Sequence, residues 1–305
     1  MLTRTKKHGK AISRRRAATG YLFMLPWILG FLVFTAIPFI YTIYLSFFEV
    51  RQTVLGFELD FAGINNYVVA LFRNVDFVPG MVSFLIMEVT YAPTIVIISF
   101  ILAVLLNRPM KLRPLFRMLF FLPVIVMSGP VMSQIMDSGA ASMTGLEDLF
   151  IFVMVANYSP LLARALLYLF SNFFMILWFT GIPIILFING LQKISGSVAE
   201  AATIDGATSW QILWKITIPI LRPIFMVVAI FTIVQLSLFS TNPVSELIQN
   251  AIIATVGGLG LASAFAWLYS FVILLMIGLA FLLLRDQKET PKKSRSKLER
   301  RRLGR

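Results

Sequence analysis

Of the 305 residues, 58% are hydrophobic and only 13% charged, and the mean hydropathy is +0.85; a soluble domain of this length could not enclose so much apolar surface. There is no Cys, and the one His is His8 in a basic tail, which excludes disulfide, thiol-redox and Cys–zinc chemistry and argues against paired-His metal motifs or a His-based triad. The net charge of +13 lies mostly in two tails, 1–19 and 285–305, that abut apolar runs and lack interleaved aromatics, so it marks the cytoplasmic side of a polytopic membrane protein and not a nucleic-acid binder.

Nothing fits the phosphate loop G-x-x-x-x-G-K-[ST], and Gly257-Gly258-Leu259-Gly260 lacks the third glycine of a dinucleotide fingerprint. No cofactor is expected. If ATP drives this protein, another chain binds it.

The first apolar run, 20–48, carries no charge and is far longer than the roughly 7–15 apolar residues of a signal peptide, so it is expected to stay as a first span, tilted or bent at Pro26 or Pro38. The loop 49–80 holds Glu49, Glu58, Asp60 and Asp76 and is placed outside. A second span covers 81–106. Arg108, Lys111, Arg113 and Arg117 then mark an internal loop without an acid, and a third span ends near Met136.

The stretch 137–171 is less regular. Its apolar piece 149–163 contains Asn157, Ser159 and Pro160 and is too short to cross, so it reads as one external, partly re-entrant helix. A fourth span lies within 165–188 and enters the membrane after Ser171-Asn172. A polar-bearing passage, 189–223, follows. There Ser197 and Glu200 fit one capping box, Thr208 and Gln211 a second, Gly206 permits a tight turn between them, and Pro219 is expected to end the second helix. A fifth span covers 224–241, the loop 242–261 is external with Glu246 its one acid, and the last span ends near Leu284. The expected fold is therefore all-α, a six-span domain over 20–284 with both termini cytoplasmic. Of 27 basic residues, only Arg51, Arg73 and Arg164 then fall outside.

Glu88 is the one acid placed well within a span. It either faces a cavity or partner, or sits near enough to the outer interface for solvent to reach it. Gln134, Trp178 and Gln235 complete the candidate substrate path, with Asn172, Ser237 and Asn242 as further polar groups in or near spans; amides suit sugar hydroxyls because they both donate and accept, and an aromatic supplies a platform. Each of these can equally serve helix packing or the interfacial belt.

Glu200, Ala201, Ala202, Asp205, Gly206, Ala207 and Ile218-Pro219 together resemble the EAA loop of the permease subunits of binding-protein-dependent ABC importers. The run GYLFMLPWILGFLVFTAIPFIYTIYLSF and the block Gly63-Ile64-Asn65-Asn66-Tyr67 resemble the carbohydrate and glycerol-phosphate branch, as do 115–123 and 260–267. Only 137–171 departs, being less polar than the family's loop. The resemblance implies a type I importer permease in a bacterial or archaeal cytoplasmic membrane, not itself an enzyme. It further implies a second homologous permease, an ABC ATPase dimer, an extracellular solute-binding protein, a carbohydrate substrate and surrounding lipid. Glu200, Ala201, Ala202, Asp205, Gly206 and Ala207 would couple to the ATPase. The alternative is a self-sufficient ion-gradient-driven transporter, which would be expected to show more intramembrane acids or paired broken helices.

Overall fold

The computed structural model describes residues 19–53, 56–107, 115, 118, 134, 138, 145–239, 242–254 and 258–285. Helices α1 (Thr19–Leu45), α2 (Phe77–Asn107), α5 (Phe173–Gln192) and α10 (Gly258–Leu284) are long and apolar enough to cross a membrane. A broken fifth pairs α7 (Ser209–Ile220) with α8 (Arg222–Ser237), bent by 67°. The shorter helices include α3 (Phe150–Tyr158), α4 (Pro160–Ser171), α6 (Gly196–Ile204) and α9 (Pro243–Ile253). The third expected span, 115–136, falls outside the described residues except at Leu115, Met118 and Gln134.

The all-α expectation fails between α1 and α2. Phe48–Thr53 (β1) and Gly56–Phe61 (β2) form an antiparallel hairpin in which Glu49 faces Asp60 and Arg51 faces Glu58. Alternation of Phe57, Leu59 and Phe61 with Glu58 and Asp60 gives the strand its period of two. Arg51 bridges to Glu49 at 3.0 Å, and that bond and charge hold the exposed guanidinium's pKa above its ordinary value. Three other expectations also change. The single helix over 149–163 is two, because Ser159 caps a new helix at Pro160, accepting from the Leu162 amide at 3.4 Å. The stretch 242–261, expected to be external, contains α9. Pro219 does not end α7: a π-helical turn, Leu213–Thr217, precedes it, and the helix runs on to Ile220. The same arrangement occurs in α1, where Leu32–Ala36 is π-helical two residues before Pro38. Wider i→i+5 turns displace the carbonyls that a proline ring would otherwise strike.

The chain divides into two compact units, the described parts of 1–82 with 243–270, and of 83–242 with 271–305. In the first, Asn66 donates to the carbonyls of Ser46 and Phe48, each at 2.9 Å, and the Tyr67 hydroxyl meets that of Ser46 at 2.8 Å. The hairpin is thereby tied to the end of α1. α10 approaches it through glycine. A Cβ at Gly258, whose φ is +45°, would sit 2.6 Å from the Val50 carbonyl oxygen. Phe77 stacks on Phe265 at 4.4 Å, and the Trp267 indole donates to Thr42 at 3.3 Å.

In the second unit, α2 turns one face inward: Phe84, Glu88, Tyr91, Ile95, Ser99, Ala103 and Leu106 are all buried at helical spacing. Tyr91, Ala92 and Ile95 join Met175, Ile176, Trp178 and Phe179 of α5 and Ile233 and Leu236 of α8 in one apolar cluster. Farther along, Phe187 meets Phe100 and Phe225 edge to face and those two meet tilted, with centroids 4.7–5.4 Å apart. Gly190 permits α5 to lie against Leu221 and Ile224.

Candidate functional site

The second unit carries two sets of functional candidates, a surface element and a buried polar group. The surface element is α6, the turn after it and α7. α6 ends in a Schellman arrangement: the Gly206 amide donates to Thr203 at 3.0 Å and the Ala207 amide to Ala202 at 2.9 Å, with Gly206 left-handed at φ +83°. Each residue of the run has a position in this geometry. Ala202 and Ala207 are the two small residues that close the motif, buried and half-buried, and Asp205 is the C-cap between helix and glycine. Thr208 then opens α7 with a complete capping box, accepting from the Gln211 amide at 3.3 Å while its own amide donates to Gln211 Oε1 at 2.9 Å. Two interlocking caps fix the turn on both sides.

The first expected box does not form. α6 starts two residues earlier, with Ser195 at the N-cap, and the Ser195 and Ser197 hydroxyls bond each other at 2.7 Å. Glu200 and Ala201 are consequently free on the exposed face. Asp205 does not cap α7, because Thr208 does. Together with Gly206, Ala207, Gln211, Lys215 and Ile216, Asp205 lines an open cleft of about 310 Å³. Beside it are two aromatics that sequence reasoning passed over: Trp210 and Trp214, 67% and 53% exposed, with ring centroids 5.4 Å apart. Their signal was the pair of indoles four apart, which a helix places on one face. Exposed tryptophans of this kind anchor protein interfaces.

The buried set is defined by what its atoms lack. Among the described residues, both carboxyl oxygens of Glu88, the Ser99 hydroxyl, the Trp178 indole nitrogen and Gln235 Oε1 are buried without a hydrogen-bond partner. Glu88 is 0% and Trp178 5% exposed, so solvent does not serve them. A buried orphan costs about 1–3 kcal/mol, and a charged one more. Three of the four sequence candidates are in this group; Gln134 is not, being exposed. The polar groups that serve packing are distinguished by having partners: Asn172 donates to Tyr168 at 2.8 Å and Ser237 to Ile233 at 2.7 Å. Ser99 was missed, since a serine amid aliphatics gives no sign of facing inward until the helix is placed.

No family model matches the chain. It is 30% identical to the multiple sugar-binding transport system permease protein MsmF of Streptococcus mutans, over 70% of this chain and 72% of that one. It is 31% identical to the lactose transport system permease protein LacF of Rhizobium radiobacter, over 75% and 76%. A probable ABC transporter permease protein of Bacillus subtilis, YesP, is 28% identical over 89% and 90%. Among solved structures, a bacterial ABC transporter involved in the import of the acidic polysaccharide alginate has a chain with a TM-score of 0.66 at 19% identity, covering 93% of this chain and all of that one. A second alginate ABC transporter structure, in complex with a pentasaccharide-bound periplasmic protein, gives 0.64 at 18% identity over 89% and 95%.

Proposed function

The chain belongs to the permease subunits of ABC transport systems that include sugar importers, and from that premise we propose that it forms one half of the membrane path of an ATP-driven importer for a carbohydrate. It is a multi-pass membrane transport subunit. The partners in this reading are a second homologous permease, an ABC ATPase dimer and an extracellular solute-binding protein, in the cytoplasmic membrane. Six spans, with the tails 1–19 and 285–305 inside, agree with the distribution of basic residues.

The observation that carries the reading is the doubly capped turn from Ala202 to Gln211. Two helix ends locked around a left-handed glycine make a stiff knob, and stiffness is what a part needs if it is to transmit displacement between two subunits. Glu200, Ala201, Ala202, Asp205, Gly206 and Ala207 would seat on the ATPase. Closure of the ATPase pair on ATP would move the knob, and the solute path, bordered by Glu88, Trp178 and Gln235, would open outward; hydrolysis would reset it. Gln134 is retained as an exposed member of that path. Reciprocity requires that docking of a loaded binding protein favour ATPase closure. The ion-gradient alternative is not favoured, since the relatives are ABC system permeases.

The test is extraction of the tagged chain in mild detergent from its native host, with mass spectrometry of what stays bound. A second permease and an ATPase are expected. Recovery of the chain alone, still moving solute in vesicles without ATP, would overturn the proposal.

A further inference from the structure

We propose that the open edge of β2 is a docking strand, to which the solute-binding protein adds an extended segment that is apolar at alternate positions and basic between them. This deepens the importer reading and rests on its placing of 49–80 outside the membrane.

The ladder fixes which backbone groups are free. The Ala62 amide donates to the Phe47 carbonyl at 2.9 Å, and the pairs alternate from there. Asp60 with Glu49 and Glu58 with Arg51 are hydrogen-bonded pairs, while Phe61, Leu59 and Phe57 stand in the pairs between. The N–H and C=O of those three residues therefore point away from β1. On β1 the equivalent outward carbonyls are covered, that of Phe48 by the Asn66 amide and that of Val50 by the start of α10 at Gly258. On β2 nothing takes their place among the described residues: every residue of the strand is exposed, and Phe57, Leu59 and Phe61 have no outward hydrogen bond.

Sheets seldom leave such an edge bare, because it is a template for another strand. Lipid tails offer nothing to six backbone groups, and open sheet edges do not occur within hydrocarbon. A second copy of this chain would pair antiparallel about Leu59, setting Glu58 against Asp60, and like charges directly opposite destabilise a pair. The chemistry of the strand that fits follows from the two faces of β2. Phe57, Leu59 and Phe61 form an exposed apolar row, and the opposite face, with Glu49, Glu58 and Asp60 against Arg51, is net acidic. Apolar residues alternating with Lys or Arg answer both. Main-chain bonds would then supply affinity and the alternating side chains specificity. Of the external partners, the binding protein alone arrives and leaves in each cycle. An edge that water satisfies in the interval suits it, and an acidic face speeds its encounter.

The experiment uses the whole complex in nanodiscs with the solute-binding protein of the same host that stimulates its ATP hydrolysis. The quantity read is the concentration of that protein giving half-maximal stimulation. Leu59→Pro removes one outward N–H and leaves the hairpin ladder whole, since an edge strand tolerates proline where that group faces solvent. It should raise the half-maximal concentration at least about tenfold, whereas Leu59→Ala, which keeps the N–H, should raise it less than about threefold. Glu58→Lys combined with Asp60→Lys should also raise it at least about tenfold and reverse its dependence on salt, which keeps the test independent of one variant. Hydrolysis without the binding protein should stay unchanged throughout. In cells of the host, a photoreactive benzophenone in place of the Phe57 ring should cross-link to the binding protein. A half-maximal concentration moved neither by Leu59→Pro nor by the lysine pair, or a cross-link to the second permease or to lipid alone, would overturn docking at β2 while leaving the importer reading intact. If no binding protein of the host stimulates hydrolysis by the unaltered complex, the importer reading falls and the docking with it.

Discussion

Asn66 and Gly260 converge on a single oxygen, the carbonyl of Phe48. The Asn66 amide donates to it at 2.9 Å, while a Cβ on Gly260 would run into it and would lie 3.2 Å from the same amide nitrogen. The two residues come from sequence blocks almost two hundred positions apart, each of which had drawn attention separately. Their meeting supplies a physical reason for both: an amide that holds the hairpin strand down, and a helix that can reach that strand only without a side chain.

Gly260→Ala should therefore destabilise by about 1–3 kcal/mol through overpacking against backbone. Asn66→Ala should cost about as much by orphaning the Ser46 and Phe48 carbonyls. Because the two share a partner, the double variant should lose less than the sum. Thermal denaturation of the purified complex, followed by light scattering, checks this; strict additivity would mean that the contact is not shared.

At Gly206 no atom lies within reach of an added Cβ, so any effect must come from backbone conformation. Holding a bulky residue at φ +83° costs about 1–2 kcal/mol, and the turn should relax to avoid it. Gly206→Val is expected to leave assembly intact and lower solute moved per ATP hydrolysed, whereas Gly206→Asn, which tolerates the left-handed region, should retain most of the coupling. Equal ratios for the two variants would detach the turn from coupling.

The two capping boxes make opposite forecasts. Thr208→Ala should cost about 1 kcal/mol at the start of α7, and hydrogen exchange at the Gln211 amide should rise. Ser197→Ala should leave the exchange of the α6 amides unaltered, because its hydroxyl bonds only Ser195. Protection lost in α6 on that substitution would restore the Ser197–Glu200 box.

Trp210 and Trp214 supply the largest exposed aromatic surface of the element formed by α6, its turn and α7. Replacing both with Ala should reduce the ATPase recovered with the tagged chain at least about tenfold, as expected when interface hot spots are removed. Unchanged recovery would place the ATPase contact elsewhere.

The spans were legible wherever an uncharged apolar run was long enough to decide the matter. Thus α2, α5 and α10 fall close to their expected bounds. The hairpin was written in the alternation of Phe57 to Phe61, but its acids read first as a sign of external placement and the period went unused. Pro219 looked like a stop because the rule against proline assumes an α-helical turn before it, and here the turn is wider. Ser197 lost its capping role to Ser195, a competition between two serines that sequence cannot adjudicate. For the buried set, residue type alone nominated Glu88, Trp178 and Gln235. What separated them from Asn172 and Ser237 was a hydrogen-bond partner one turn back on the same helix, which no spacing reveals.

The two π-helical turns ahead of Pro38 and Pro219 each hold one more residue than an α-helical turn would. They are in effect absorbed insertions, and each resets the helical phase by about 100°. Side chains before and after Leu213–Thr217 therefore belong to different helical registers, so a wheel drawn over all of Ser209–Ile220 mixes two faces. It follows that this helix is a place where chain length is negotiable. Relatives one residue shorter here can keep the same fold by closing the turn to α, provided that they also give up the proline.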